Sequence, residues 1–309
     1  MTEDQKRNTY RRLYQTRPWQ IGSTRIAVGL LLSPILLPLA VSRVLFFILF
    51  NGLFLLLPPG RRGFVPRAGL LCRIAMFLSC GIIYRTNFPL GGSRVDRGGE
   101  DETRGRQLVV FNHHGVCDIF LFPLFNQLGI ASLIVSYPVD YYRTMRRWVF
   151  FFDHTFDLIH HTQVRRMILA ARTSSLALFP EGAGKKGRGV LHFNPALYAL
   201  YSRVQPYSVR MSYALPLYDY YGTDLPLYKV ACYVCLAVSP WTIFNIERLP
   251  PIDYGRNDWA SAAEASRRAI AQSANEPLLG MMFDQQDYDR YVMDIGVSHE
   301  IQHGRQRAP

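Results

Sequence analysis

The chain has 309 residues and a formal charge of +12, long enough for one sizeable core plus an accessory element. The charge is lopsided: residues 1–90 hold twelve arginines and lysines against Glu3 and Asp4, a net of +10, which leaves +2 for the other 219. Basic charge at one end, beside an apolar block and with no nucleic-acid recognition motif, points to an anionic membrane surface and away from nucleic acid.

Residues 1–25 form a basic N-terminal segment. From Ile26 to Leu57 there is one charge, Arg43. A straight helix over this run would be roughly 48 Å long, beyond a hydrocarbon core of about 30 Å. Pro34 and Pro38 interrupt it, and Asn51-Gly52 weakens it again. Arginines flank both ends: Arg17 and Arg25 before, Arg61, Arg62 and Arg67 after. The positive-inside rule keeps both flanks on the cytosolic side, so residues 26–57 read as a membrane-embedded helical hairpin, with a single tilted span as the alternative. Arg43 is the difficulty, because a charge at depth needs a partner. A cleaved signal peptide fits poorly, since the apolar run starts late and is too long. Residues 58–84 read as an interfacial helix region, in which Ala68–Ile83 serves equally as the first helix of the next domain.

Residues 86–106, with Gly91-Gly92 and Gly98-Gly99, read as a polar linker. Strand-like runs follow at 107–111, 130–135, 156–160, 175–179, 204–211 and 241–247. Helical patterns alternate with them at 115–127, 138–150, 162–173, 194–202 and 258–273, the last with Asp258 at its N-cap. Runs such as Leu108–Phe111 and Leu176–Phe179 are apolar throughout, as in strands covered on both faces. This alternation predicts one α/β domain over 85–275, with a mixed central sheet flanked by helices, and a loosely held polar tail over 276–309. Cys72, Cys80, Cys117, Cys232 and Cys235 have no framework spacing and read as buried reduced thiols in a cytosol-facing domain. The pair Cys232 and Cys235 lacks a second pair, so no metal site is expected.

Two polar segments sit at strand exits, where α/β proteins place their sites. Asn112-His113-His114-Gly115-Val116-Cys117-Asp118 follows the first strand of the domain, and Phe179-Pro180-Glu181-Gly182 follows the fourth. The His113–Asp118 spacing lets the carboxylate reach one ring nitrogen, fixing the tautomer and making the other nitrogen a better base. His114 is adjacent, but only His113 has the partner five residues on. No serine or cysteine occupies a nucleophile elbow, so the expected chemistry is direct: His113 takes a proton from an acceptor hydroxyl, which attacks a thioester carbonyl. Glu181 has two open roles, contact with the acceptor hydroxyl or fixing its own loop. Beyond Gly182, the run Gly184-Lys185-Lys186-Gly187-Arg188-Gly189 is a basic loop suited to phosphate groups, with Lys185, Lys186 and Arg188 as the expected contacts.

These two segments, with Val204-Gln205-Pro206-Tyr207-Ser208-Val209, resemble the first, third and fourth sequence blocks of the PlsC-type glycerolipid acyltransferase family. The resemblance covers roughly residues 80–250. It implies an α/β acyltransferase domain that moves an acyl chain from acyl-CoA, a co-substrate in place of any cofactor, to a lysophospholipid or glycerol phosphate. His113 and Asp118 would be catalytic, with Glu181 and Gly182 on the substrate side. The hairpin and Gly187–Phe193 look closest to the ancient ubiquitous protein and lysophosphatidylcholine acyltransferase branches. That likeness implies a monotopic protein of the endoplasmic reticulum membrane or lipid droplet, its domain facing the cytosol and membrane phospholipids as partners. It names no protein partner. The second block departs from the family: around Thr155–His161 there is neither its glycine nor its phosphate-holding arginine, and Ala183 stands where threonine is common. A non-catalytic lipid-droplet or endoplasmic-reticulum scaffold is therefore the alternative expectation.

Overall fold

The computed structural model describes residues 2–14, 23–58, 70–88, 106–114, 118, 120–125, 128, 130–135, 157–182, 189–213, 239–255, 257–282 and 284. Helix α1 (Glu3–Tyr14) and the long α2 (Ser23–Leu56) come first, then α3 (Leu70–Cys80) leads into β1 (Ile82–Thr86). The domain continues through β2 (Leu108–Phe111), α4 (Phe122–Phe125), β3 (Ile130–Val135), β4 (Asp157–His160), α5 (Val164–Ala171) and β5 (Ser175–Leu178). A 3-10 turn over Pro195–Leu200, β6 (Arg203–Tyr213), β7 (Thr242–Arg248), β8 (Ile252–Asp253) and α6 (Trp259–Ala274) complete it.

The strands form one mixed sheet in the order β1-β7-β6-β2-β5-β3-β4, with β8 pairing the start of β6. Strands β6, β2, β5, β3 and β4 run parallel, while β7 is antiparallel to β6 and parallel to β1. Alternation with a period of two sorts the apolar strands into two cores. Val109 and Phe111 of β2, Leu133 and Val135 of β3, and Ala177 of β5 face one side, under α3, α4 and the second half of α2. Leu108, Val110, Ile134, Leu176 and Leu178 face the other, under α5, the 3-10 turn and α6.

Six predicted strands are present within a few residues of their expected limits. Two further strands are present. The first, β1, overlaps the end of the helix expected over Ala68–Ile83, because Ile82 and Ile83 continue the apolar run of α3. The break is Gly81, whose φ of +67° closes α3 in the left-handed region, with its N–H on Phe77 O at 2.8 Å. The boundary expected at residue 85 therefore falls inside a strand, and the inner face of α3 (Cys72, Ala75, Met76, Cys80) is part of the domain core. The second, β8, is too short to carry a pattern. Of the helix expected over 115–127, Phe122–Phe125 is helical and residues 115–117, 119, 126 and 127 lie outside the described residues, while Asp258 stands at the N-cap of α6 without a side-chain capping bond. The helix expected at 138–150 lies outside the described residues.

The hairpin expected over 26–57 is corrected to one continuous helix, α2, with Pro34 and Pro38 inside it. A proline removes one N–H and bends a helix without having to end it. Asn51 donates to Phe47 O at 2.7 Å, within the same helix, and Gly52 does not end it. Arg43 is 4% exposed, and its guanidinium donates to Ser239 O and Pro240 O just before β7. Its partner is thus supplied by the domain. Phe47, Phe50, Phe54 and Leu55 pack into the core beneath it. The opposite side of α2 exposes Leu31, Ile35, Leu37, Val41, Leu45, Ile48 and Leu53. The stretch Leu31–Leu56 has a mean hydropathy of 2.2 and is long and apolar enough to cross a membrane.

Arg43 also packs against Gly81, where an added Cβ would meet the guanidinium. Replacing Gly81 with alanine therefore places a side chain at positive φ and displaces Arg43. A loss of about 1–2 kcal/mol from the backbone alone is expected, read as a lowered thermal midpoint.

Candidate active site

Strands β2 and β5 are adjacent and parallel, with Val110 beside Leu178. Their C-terminal ends therefore release Asn112-His113-His114 and Phe179-Pro180-Glu181 side by side. This is the crevice at the carboxyl end of a parallel sheet, where open α/β folds bind ligands.

Asn112 prolongs the sheet past the end of β2. Its Nδ2 donates to Val209 O at 2.9 Å and its Oδ1 accepts from Val209 N–H at 2.7 Å. A primary amide presents one donor and one acceptor in parallel, so it completes one more rung against β6 where the backbone of β2 has turned away. Asn112 is fully buried, so solvent would not take over the Val209 N–H if the amide were lost.

Asp118 comes back onto both histidines. Asp118 Oδ2 bonds His113 Nδ1 and also accepts the His114 N–H at 2.8 Å. The carboxylate side chain is 4% exposed and the His113 side chain 19%. The buried carboxylate thus holds Nδ1 and sets the orientation of the ring. Asp118 both ties down the His114 backbone and orients the His113 ring. The ring of His114 is buried elsewhere, with Nε2 2.7 Å from Val209 O, so it is structural. Phe179 stacks on the His113 ring, with centroids 4.8 Å apart. Phe179 also packs on Phe111, which stacks on Tyr207 and Phe125. His113 therefore sits over the same sheet face as α2 and α3.

Glu181 is 1% exposed. Its Oε1 accepts the backbone N–H of His113 at 2.9 Å, and its Oε2 accepts that of Leu191 at 3.0 Å. Of the two roles open from the sequence, this arrangement matches the loop-fixing one. Gly182 makes the tight turn after it, with φ +82° and its N–H on Phe179 O at 3.1 Å. Lys185, Lys186 and Arg188 lie outside the described residues, as do Cys117, Cys232 and Cys235.

Tyr84 of β1 also supports the site, and it carried no sequence signal. Its hydroxyl donates to Phe120 O at 2.5 Å, two residues beyond Asp118. Burial raises the phenol well above its ordinary pKa, so it stays a protonated donor. His160 and His161, at the C-terminal end of β4, are three strand positions from β2, roughly 14 Å across the sheet. They are too far to touch His113. Compared with known families and proteins, the chain matches no family model and no curated protein sequence.

Proposed function

We propose that this chain is a membrane-associated acyltransferase, moving an acyl chain from acyl-CoA to the hydroxyl of a lysophospholipid or glycerol phosphate. One observation carries the proposal: a partly exposed histidine has Nδ1 bonded to a buried aspartate, at the end of a central parallel strand. That pairing fits general-base chemistry, and the resemblance of the flanking segments supplies the substrates. In the proposed reaction, His113 Nε2 removes the proton of the acceptor hydroxyl as its oxygen attacks the thioester carbonyl. The C–S bond then breaks, the CoA thiolate leaves and takes the proton from His113, and an ester is formed. Asp118 stabilises the imidazolium in between.

The membrane part of the reading rests on α2. In the register Tyr213 beside Thr242, the start of β7 lies at the same edge as the ends of β2 and β5. Arg43 docks just ahead of β7, so α2 meets the domain at that edge of the sheet. A helix whose second half lies against the domain, with an apolar outer side and basic flanks, fits an anchor lying in one leaflet better than one crossing both. The proposed location is accordingly monotopic on the endoplasmic reticulum membrane or lipid droplet, with the domain in the cytosol. Glycosylation tags placed at either terminus are then expected to remain unmodified, and modification at one end only would establish a span.

The test of the activity is turnover by purified protein in detergent, with labelled acyl-CoA and a panel of lysophospholipid and glycerol phosphate acceptors. Ester product with at least one acceptor is expected. Folded protein without turnover on the whole panel would overturn the enzyme in favour of the scaffold.

A further inference from the structure

Arg267 is 3% exposed and points from α6 into the protein, towards the segment that follows Glu181. Its Nε donates to Leu191 O at 2.9 Å and Val190 O at 3.3 Å, and its Nη2 donates to Val190 O at 3.2 Å and to Leu279 O. Nη1 meets Glu264 Oε2 at 3.0 Å, which balances the charge. The segment it grips is the one that reaches the site. Leu191 offers its N–H to Glu181, and the other oxygen of Glu181 holds the backbone of His113. The same segment is clamped from the far side by residues after α6. Val190 N–H bonds Pro277 O at 2.9 Å, Leu279 N–H bonds Val190 O at 3.0 Å, and His192 N–H bonds Met281 O at 2.9 Å. Residues 277–281, expected as the start of a loose tail, are therefore part of this assembly.

We propose that Arg267 is a positioning residue for His113, acting through Leu191 and Glu181. The inference deepens the acyltransfer reading and rests on it for its catalytic consequence, while its geometric content stands without turnover. A planar guanidinium donates in several fixed directions at once and can serve three carbonyls, whereas a lysine ammonium on a flexible stem does not hold that pattern. Loosening the Val190–Leu191 backbone lets the carboxylate of Glu181 shift, and with it the backbone that sets the His113 ring against Asp118.

The experiment compares wild type, Arg267→Lys, Glu181→Gln and the double variant. The carbethoxylation rate at each histidine is read by mass spectrometry on protein shown to be folded by its thermal melt. His161, exposed at the end of β4, is the internal reference. Each single variant is expected to raise the rate at His113 severalfold with His161 unchanged. The double variant is expected to react about as fast as the faster single one, because both act on one path. In parallel, kcat falls about tenfold in Arg267→Lys with little change in KM. An unchanged His113 rate in either folded single variant, equal acceleration at His161, or multiplied effects in the double variant would overturn the proposal. Wild-type protein without turnover would sink the acyltransferase reading, and the labelling would still decide the positioning role.

Discussion

His113→Ala is expected to lower kcat for acyl transfer by about a thousandfold, with KM changed little. A positioned general base contributes on the order of 10²–10⁴ to a proton-transfer step, and no other described side chain replaces it. His114 is one residue away, but its ring is buried against Val209 O on the far side of Asn112. Asp118→Asn is the sharper companion. The amide can still accept the His114 N–H, so that backbone contact survives, but it no longer carries the charge that stabilises the imidazolium. A loss of about a hundredfold or more in kcat is expected, with the fold intact by circular dichroism. A scaffold would show neither effect, because it would have no turnover to lose.

Asn112→Ala is expected to be among the most destabilising single changes in the chain. It strips the Val209 N–H of its acceptor in a fully buried place and leaves Val209 O to the His114 ring alone. An orphaned buried backbone donor costs about 1–3 kcal/mol, so a loss of about 2 kcal/mol is expected. In a chain of this size that lowers the thermal midpoint by roughly 4–8 °C. The outcome separates the roles within one motif: Asn112→Ala attacks stability first, and His113→Ala attacks turnover with little effect on melting.

The strands of the domain were legible because runs such as Leu108–Phe111 and Leu176–Leu178 are apolar on both faces and end at polar segments. The pairing of His113 with Asp118 was legible because both partners lie within one turn. What could not be read locally has distant partners. Asn112 binds a backbone 97 residues on, and Leu191, 76 residues before Arg267, is invisible from the α6 sequence. The α6 sequence does carry one signal: Arg267 falls on the buried stripe Ala263-Ser266-Arg267-Ile270-Ala271-Ala274, where an unpaired arginine would be costly. The hairpin failed for the same reason. Two prolines and one arginine argue locally for a break, and the carbonyls of Ser239 and Pro240 that accommodate Arg43 are nearly 200 residues away. Glu181 stays open between two roles in the sequence, because a carboxylate at a strand exit looks available until both backbone N–H groups are placed on it.

The central claim is that His113 is a base for direct acyl transfer to a hydroxyl acceptor. It is tested most directly by release of CoA thiol from acyl-CoA, followed with and without a lysophospholipid, in wild type and His113→Ala side by side. The account predicts release that requires the acceptor, matches ester formed one to one, and disappears in His113→Ala. Release that is indifferent to the acceptor, or that survives in His113→Ala, would contradict it.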